Sequence, residues 1–211
     1  MKLYTYWRSS CSYRVRIALG LKGLDWENVF VHLVKGDQKA EGFAQVNPSN
    51  LVPTLELDDG THLSQSLAIL DWLESAHPEP ALLPSEAIRR AHVLAAAHTI
   101  AMDVQPLTNV GPVNHLKAEY GADADGGIQW MVHWMEVGFR SMLRQIDPDT
   151  PFCFGDAPTL ADICLVPQLY NAHRWGVDLA PFKRLTEIEE TCLALPAFQA
   201  AKPEAQPDAD T

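Results

Sequence analysis

Three prolines within nine residues, Pro78, Pro80 and Pro84 in the stretch 77–85, divide this chain of 211 residues into two parts with different periodicity. Proline removes a backbone donor and disfavours the helical conformation in the residue before it, so neither a helix nor a sheet ladder runs through such a stretch. Ahead of it, short runs alternate apolar and polar residues between helical segments. Behind it, from Glu86 to about Ala200, only helical periodicity is found, in 87–104, 127–146 and 160–173. The pattern predicts an α+β domain over residues 1–80 and an all-α domain over 86–211, joined by a linker.

Within the first domain, Lys2–Tyr6 reads as a strand and Ser12–Lys22 as a helix with Gly23 past its end. Val29, Val31 and Leu33 alternate as in a second strand, and the polar stretch Lys35–Glu41 reads as a loop. Thr54–Leu57, then Asp58-Asp59-Gly60, then Thr61–Leu63 carry a β-hairpin signal, after which Ser64 or Gln65 opens a helix. The order is β-α-β followed by β-β-α, with the first two strands parallel through a right-handed crossover. In the second domain, Thr159 and Asp162 stand three apart before an apolar run, close to a capping box, which assigns them to folding. The tail 202–211, with two prolines and two aspartates near its end, is expected to fray.

The net charge of −11 argues against nucleic acid as a partner, since phosphate binding needs a basic face. Cys11, Cys153, Cys164 and Cys192 are too widely spaced for a zinc site, and the eight histidines form no ligand pattern, so no metal is expected. Free thiols and the lack of a long apolar run suggest a cytoplasmic protein that does not enter the membrane.

The chemistry is concentrated at the turn Arg8-Ser9-Ser10-Cys11-Ser12 between the first strand and the first helix. The first N–H groups of a helix lack internal partners and its start carries partial positive charge, which suits an anion such as a thiolate. One capping serine is ordinary; three hydroxyls and a thiol exceed a cap. Arg14 and Arg16, inside the helix, read as a solvated face paired with carboxylates. Two further pieces fit beside this turn. Val52-Pro53 stands at a strand entry, where a cis bond would turn the Val52 backbone groups outward to pair with an extended peptide. Spacing alone favours an ordinary trans bond. Gln65-Ser66 opens the second helix and makes a carboxylate-binding corner. Together they describe a site for a small, acidic, thiol-bearing peptide.

At this point the chain resembles the zeta class of glutathione transferases. The resemblance is carried by the run from Arg8 to Leu19, Gln65-Ser66-Leu67-Ala68-Ile69, Gln105-Pro106-Leu107 and Leu165-Val166-Pro167-Gln168, and it covers roughly residues 1–207. It implies a thioredoxin-like domain followed by an all-α domain, a homodimer, and glutathione as the cofactor. It also implies roles. Ser9 donates to the glutathione thiolate, with Ser10 and Cys11 lining the same corner. Val52 pairs with the cysteinyl backbone, and Gln65 and Ser66 hold the γ-glutamyl carboxylate. Gln38, Gln105 and Asn109 complete the cofactor site. Two departures stand out: the 35–43 loop is short for the class, and Gly111 occupies a place where a small hydroxyl residue is expected.

The implied activity is glutathione-dependent cis–trans isomerisation of a maleyl-type dicarboxylic acid such as maleylacetoacetate, with Arg8 and Arg174 as anchors for the substrate carboxylates. Isomerisation of maleylpyruvate, conjugation or dehalogenation of small α-halo acids, and a thiol oxidoreductase or binding protein on the same fold are the alternatives.

Overall fold

A computed structural model describes residues 1–209. In chain order the elements are β1 (Lys2–Thr5), α1 (Ser10–Leu21), β2 (Glu27–Phe30), α2 (Glu41–Val46), β3 (Thr54–Glu56), β4 (His62–Ser64) and α3 (Ser66–Ala76). They are followed by α4 (Ala87–His98), α5 (Gln105–Thr108), α6 (Val110–Tyr120), α7 (Ala124–Met142), α8 (Leu160–Trp175), α9 (Lys183–Leu193) and α10 (Pro196–Ala201). The chain divides into two compact units: residues 1–81 together with the segment from Ala194 onward, and Leu82–Leu193.

The first unit is built on a mixed sheet in the order β2-β1-β3-β4, with β1 and β2 parallel and the other pairs antiparallel. This is the β-α-β, β-β-α order that the alternation predicts. Leu3 and Leu55 face each other across β1 and β3 and are fully buried, so the register is set by apolar side chains at the centre of the sheet. A second cluster of Tyr6, Trp7, Val31, Phe43 and Val52 packs with Tyr4, Leu33, Val46 and Ala209. Phe43 comes from α2, within a region read from the sequence as an irregular link. The stretch 35–41 in fact contains a short 3₁₀ turn, Asp37–Lys39, and leads straight into α2. One buried aromatic anchors that helix, and a single anchor leaves too weak a periodic signal to read.

The segment after Ala194 belongs to the first unit, whereas the sequence had grouped it with the helical domain. Gly20 of α1 shows why: a Cβ there would lie 3.2 Å from the Cβ of Ala197, so two small residues let α1 and α10 approach closely. Nor is the described part of the tail frayed. Gln206 Nε2 donates to the carbonyls of Ala200 and Lys202, at 2.8 and 2.9 Å, and Asp208 Oδ2 accepts from the Trp7 N–H at 2.9 Å. Asp210 and Thr211 lie outside the described residues.

The second unit is helical. Most of α8 is buried, with Pro167 inside it, and Thr159 N–H donates to Asp162 Oδ2 at 2.7 Å as the capping pattern predicts. The periodic segment 87–104 is not one α-helix. After His98 it widens into a π-helical turn, Thr99–Val104, and the Gln105 N–H reaches back to the Ile100 carbonyl. Pro106 has no N–H for the Met102 carbonyl, so a regular ladder could not continue there. Gly138 of α7 packs against Val104 at the end of this turn. Among the described residues no helix is long and apolar enough to cross a membrane.

Candidate active site

The cap of α1 is Ser9. Its Oγ accepts the Ser12 N–H at 3.2 Å, and its own N–H donates to the Tyr6 carbonyl at 3.0 Å. A hydroxyl that accepts in this way keeps its proton for another acceptor, so capping and thiolate binding are compatible in one serine. Ser10 is buried just inside the helix, Cys11 is half-buried, and Ser12 is fully buried, its hydroxyl without a hydrogen-bond partner among the described residues. Arg8, just before the cap, lies with its guanidinium 4.7 Å from the centre of the Trp7 ring.

Both helical arginines are buried, against the expectation of a solvated face. Arg16 Nη2 donates to the Trp7 carbonyl at 2.9 Å, Nη1 to Thr5 Oγ1 at 3.1 Å and to the Tyr6 carbonyl at 3.4 Å, and Nε to the Ala201 carbonyl at 3.1 Å. Burial pushes its pKa down to about 10, which still leaves it charged near neutral pH. It locks the end of β1 to the last residue of α10. Arg14 Nη1 lies 3.3 Å from Ser66 Oγ and 3.8 Å from Cys11 Sγ. One guanidinium therefore reaches both the start of α1 and the start of α3, so these two helix starts are neighbours. The i, i+3 spacing of Cys11 and Arg14 was a readable sign that they share a helix face.

At the start of α3, Ser66 is buried and Gln65 precedes the helix with φ +70° and ψ 117°. A non-glycine residue with positive φ stores backbone strain of order 1–3 kcal/mol, a pattern that gathers at ligand sites. Among the described residues no side chain caps α3. The Val52–Pro53 bond is cis, not the trans bond that spacing favours. The turn before it is held by Asn47, whose Nδ2 donates to the Leu51 carbonyl at 2.8 Å and to Thr54 Oγ1 at 3.1 Å. Its Oδ1 accepts the Ser49 N–H at 2.9 Å. Asn47 is a positioning residue that sequence reading missed, because a lone asparagine before proline reads as ordinary turn chemistry. Gln38, on the 3₁₀ turn, donates from Nε2 to the Leu33 carbonyl at 3.3 Å.

Three predicted residues lie in the second unit. Gln105 begins α5 directly after the π-helical turn. Asn109 caps α6, its Oδ1 accepting the Val110 N–H at 2.8 Å. Trp130 Nε1 donates to the Leu107 carbonyl at 2.8 Å and braces the stretch between them. Arg174 is exposed at the end of α8, 4.3 Å from the centre of the Trp175 ring. A Cβ on Gly111 would meet open space. Among the described residues no group of three or more His, Cys, Asp or Glu could hold a metal.

Comparison with known proteins gives a consistent result. Residues 8–76 match the family described as Glutathione S-transferase, N-terminal domain. The chain is 44% identical to the maleylacetoacetate isomerase of Pseudomonas aeruginosa over 99% of its length and 98% of that protein. A holo structure of maleyl pyruvate isomerase, described as a bacterial zeta-class glutathione S-transferase, superposes with a TM-score of 0.96 at 42% identity, covering both chains completely. A maleylacetoacetate isomerase from Anaeromyxobacter dehalogenans 2CP-1, with dicarboxyethyl glutathione and citrate bound in its active site, gives 0.88 at 42% identity, covering 100% of this chain and 97% of that one.

Proposed function

The chain belongs to the zeta class of the glutathione S-transferase family, and on that premise we propose that it isomerises a maleyl-type dicarboxylic acid, maleylacetoacetate to fumarylacetoacetate, with glutathione as cofactor. The observation that carries the reading is the convergence of the Ser9-capped start of α1 and the Ser66 start of α3, both within reach of Arg14. A thiolate at one corner and a carboxylate at the other match two of the three anionic groups of one tripeptide.

The chemistry follows from the substrate. The glutathione sulfur adds to one carbon of the cis double bond, and the electron pair moves to the conjugated carbonyl as an enolate. The former double bond, now single, rotates. The enolate then collapses, the carbon–sulfur bond breaks, and the trans acid leaves with glutathione regenerated. Ser9 donates to the thiolate and lowers the cost of forming it, while Ser10 and Cys11 line the same corner. Val52 pairs with the cysteinyl backbone, and Gln65 and Ser66 hold the γ-glutamyl carboxylate. Arg8 anchors a substrate carboxylate with its planar fork. Gln38, Gln105 and Asn109 as cofactor contacts, and Arg174 as a second anchor, complete the reading. Bound dicarboxyethyl glutathione in the Anaeromyxobacter relative supports the addition step, since it joins glutathione to a dicarboxylic unit.

A coupled absorbance assay with maleylacetoacetate and maleylpyruvate, each with and without glutathione, tests this. Glutathione-dependent turnover of maleylacetoacetate is expected. Preference for maleylpyruvate would move the assignment to the second isomerase, whose holo structure superposes on this chain with a TM-score of 0.96. Turnover of neither, with glutathione still bound in calorimetry, would favour conjugation or dehalogenation of α-halo acids. Ser9→Ala is expected to lower kcat/KM roughly 100-fold, as for loss of one preorganised donor. We place the protein in the cytoplasm as a homodimer, which sedimentation would report as about twice the 23.4 kDa chain mass.

A further inference from the structure

Arg14 is 1% exposed, yet among the described residues no carboxylate pairs with it, and its Nε and Nη2 have no hydrogen-bond partner. Its two contacts are the Cys11 sulfur and the Ser66 hydroxyl. Arginine keeps its charge in proteins, so it cannot escape burial by losing a proton. A buried cation without a counter-charge is strongly disfavoured. Arg16, two residues further along the same helix, shows the ordinary solution, with four oxygen acceptors around one guanidinium. Arg14 has donors to spare at a place where an anion belongs.

We propose that Arg14 is a positioning residue whose shell is completed by bound glutathione. It holds Cys11 and Ser66 at a fixed separation and sets a positive field that favours the thiolate at one end and the γ-glutamyl carboxylate at the other. The proposal rests on the glutathione reading above. A unit charge about 6 Å from a thiolate, at an effective dielectric near 20, lowers the thiol pKa by about 2 units. The cost of burying the cation in the free protein is offset when the anionic ligand arrives.

The test titrates the thiol of bound glutathione by its thiolate absorbance in the wild type, Arg14→Met and Arg14→Lys, and measures S-methylglutathione binding by calorimetry. In Arg14→Met the bound thiol should titrate 1–2 pH units higher and S-methylglutathione should bind about tenfold more weakly. The thermal midpoint should not fall, because methionine fills similar space without a charge to desolvate. Arg14→Lys, which keeps the charge and loses the fork, should recover most of the thiol shift. Should Arg14→Met not fold, Arg14→Gln is titrated in its place. Unchanged thiol titration and unchanged S-methylglutathione affinity in the charge-removed variant would overturn the proposal alone. A wild-type protein that binds no glutathione would overturn the functional reading and this proposal with it.

Discussion

Arg16 shows how much one side chain can hold. Its guanidinium bonds oxygens of Thr5, Tyr6, Trp7 and Ala201, and three of these are backbone carbonyls that lose a donor if it is removed. Each buried group left unsatisfied costs about 1 kcal/mol or more, partly offset by no longer burying a charge. Arg16→Met is therefore expected to lower unfolding stability by about 2–4 kcal/mol in urea denaturation, in contrast to Arg14→Met. Glu56 is the residue that ties stability to acid. The Lys2 ammonium, then the Tyr4 hydroxyl, hold its carboxyl down to about 2, below its ordinary value of 4.5. The folded form stabilises the carboxylate, so it binds the proton more weakly than the unfolded form does. Its contribution is thus fully present above pH 4.5 and is lost as pH falls toward 2. Glu56→Gln should flatten the pH dependence of the urea midpoint in that window; a slope identical to wild type would show that Glu56 does not carry it.

Elements place the site residues. The turn between α2 and β3 owes its shape to Asn47, which uses both ends of its amide on Leu51, Thr54 and Ser49. Asn47→Ala removes these bonds at once and frees the backbone that carries Val52. KM for glutathione should rise about tenfold with kcat little changed, since the lost order is ground-state binding; steady-state kinetics at varied glutathione checks this. In the second unit, a Cβ on Gly138 would stand 2.1 Å from Val104 Cγ2. Alanine in place of glycine gains about 1 kcal/mol in helix propensity, but overpacking costs about 1–3 kcal/mol, so the clash wins. Gly138→Ala should lower the thermal midpoint by a few degrees, as calorimetry would show.

At the scale of the molecule, the chain closes on itself within the first unit. The last described residues return to the first strand's end, where Asp208 accepts the Trp7 N–H and Ala209 packs near Tyr6 and Trp7. The turn that bears Arg8 and Ser9 is thereby fixed by a residue 201 positions away from Trp7. Asp208→Ala leaves a part-buried N–H without its acceptor and should cost about 1 kcal/mol or more. It should also loosen the turn enough to weaken glutathione binding several-fold in calorimetry. A variant that binds glutathione as tightly as wild type would show that the closure serves stability alone.

Elements with a period were legible in advance. The β-α-β and β-β-α order, the serine cap of α1, the Thr159–Asp162 cap and the run of helices after the prolines follow from local spacing, since propensity and capping act over a few residues. The cluster at Ser9, Ser10 and Cys11 was legible for the same reason, because it is one turn of chain. What tertiary structure decided lies between distant segments. Whether Arg14 and Arg16 face water depends on α3 and on α10, not on α1. The order of the tail depends on Trp7. The π-helical turn before Gln105 has the same apolar spacing as an α-helix and differs only in which carbonyl each N–H finds. Sequence spacing reports which face of an element is apolar; what covers that face, and which buried donors find acceptors, is set only when the chain has packed.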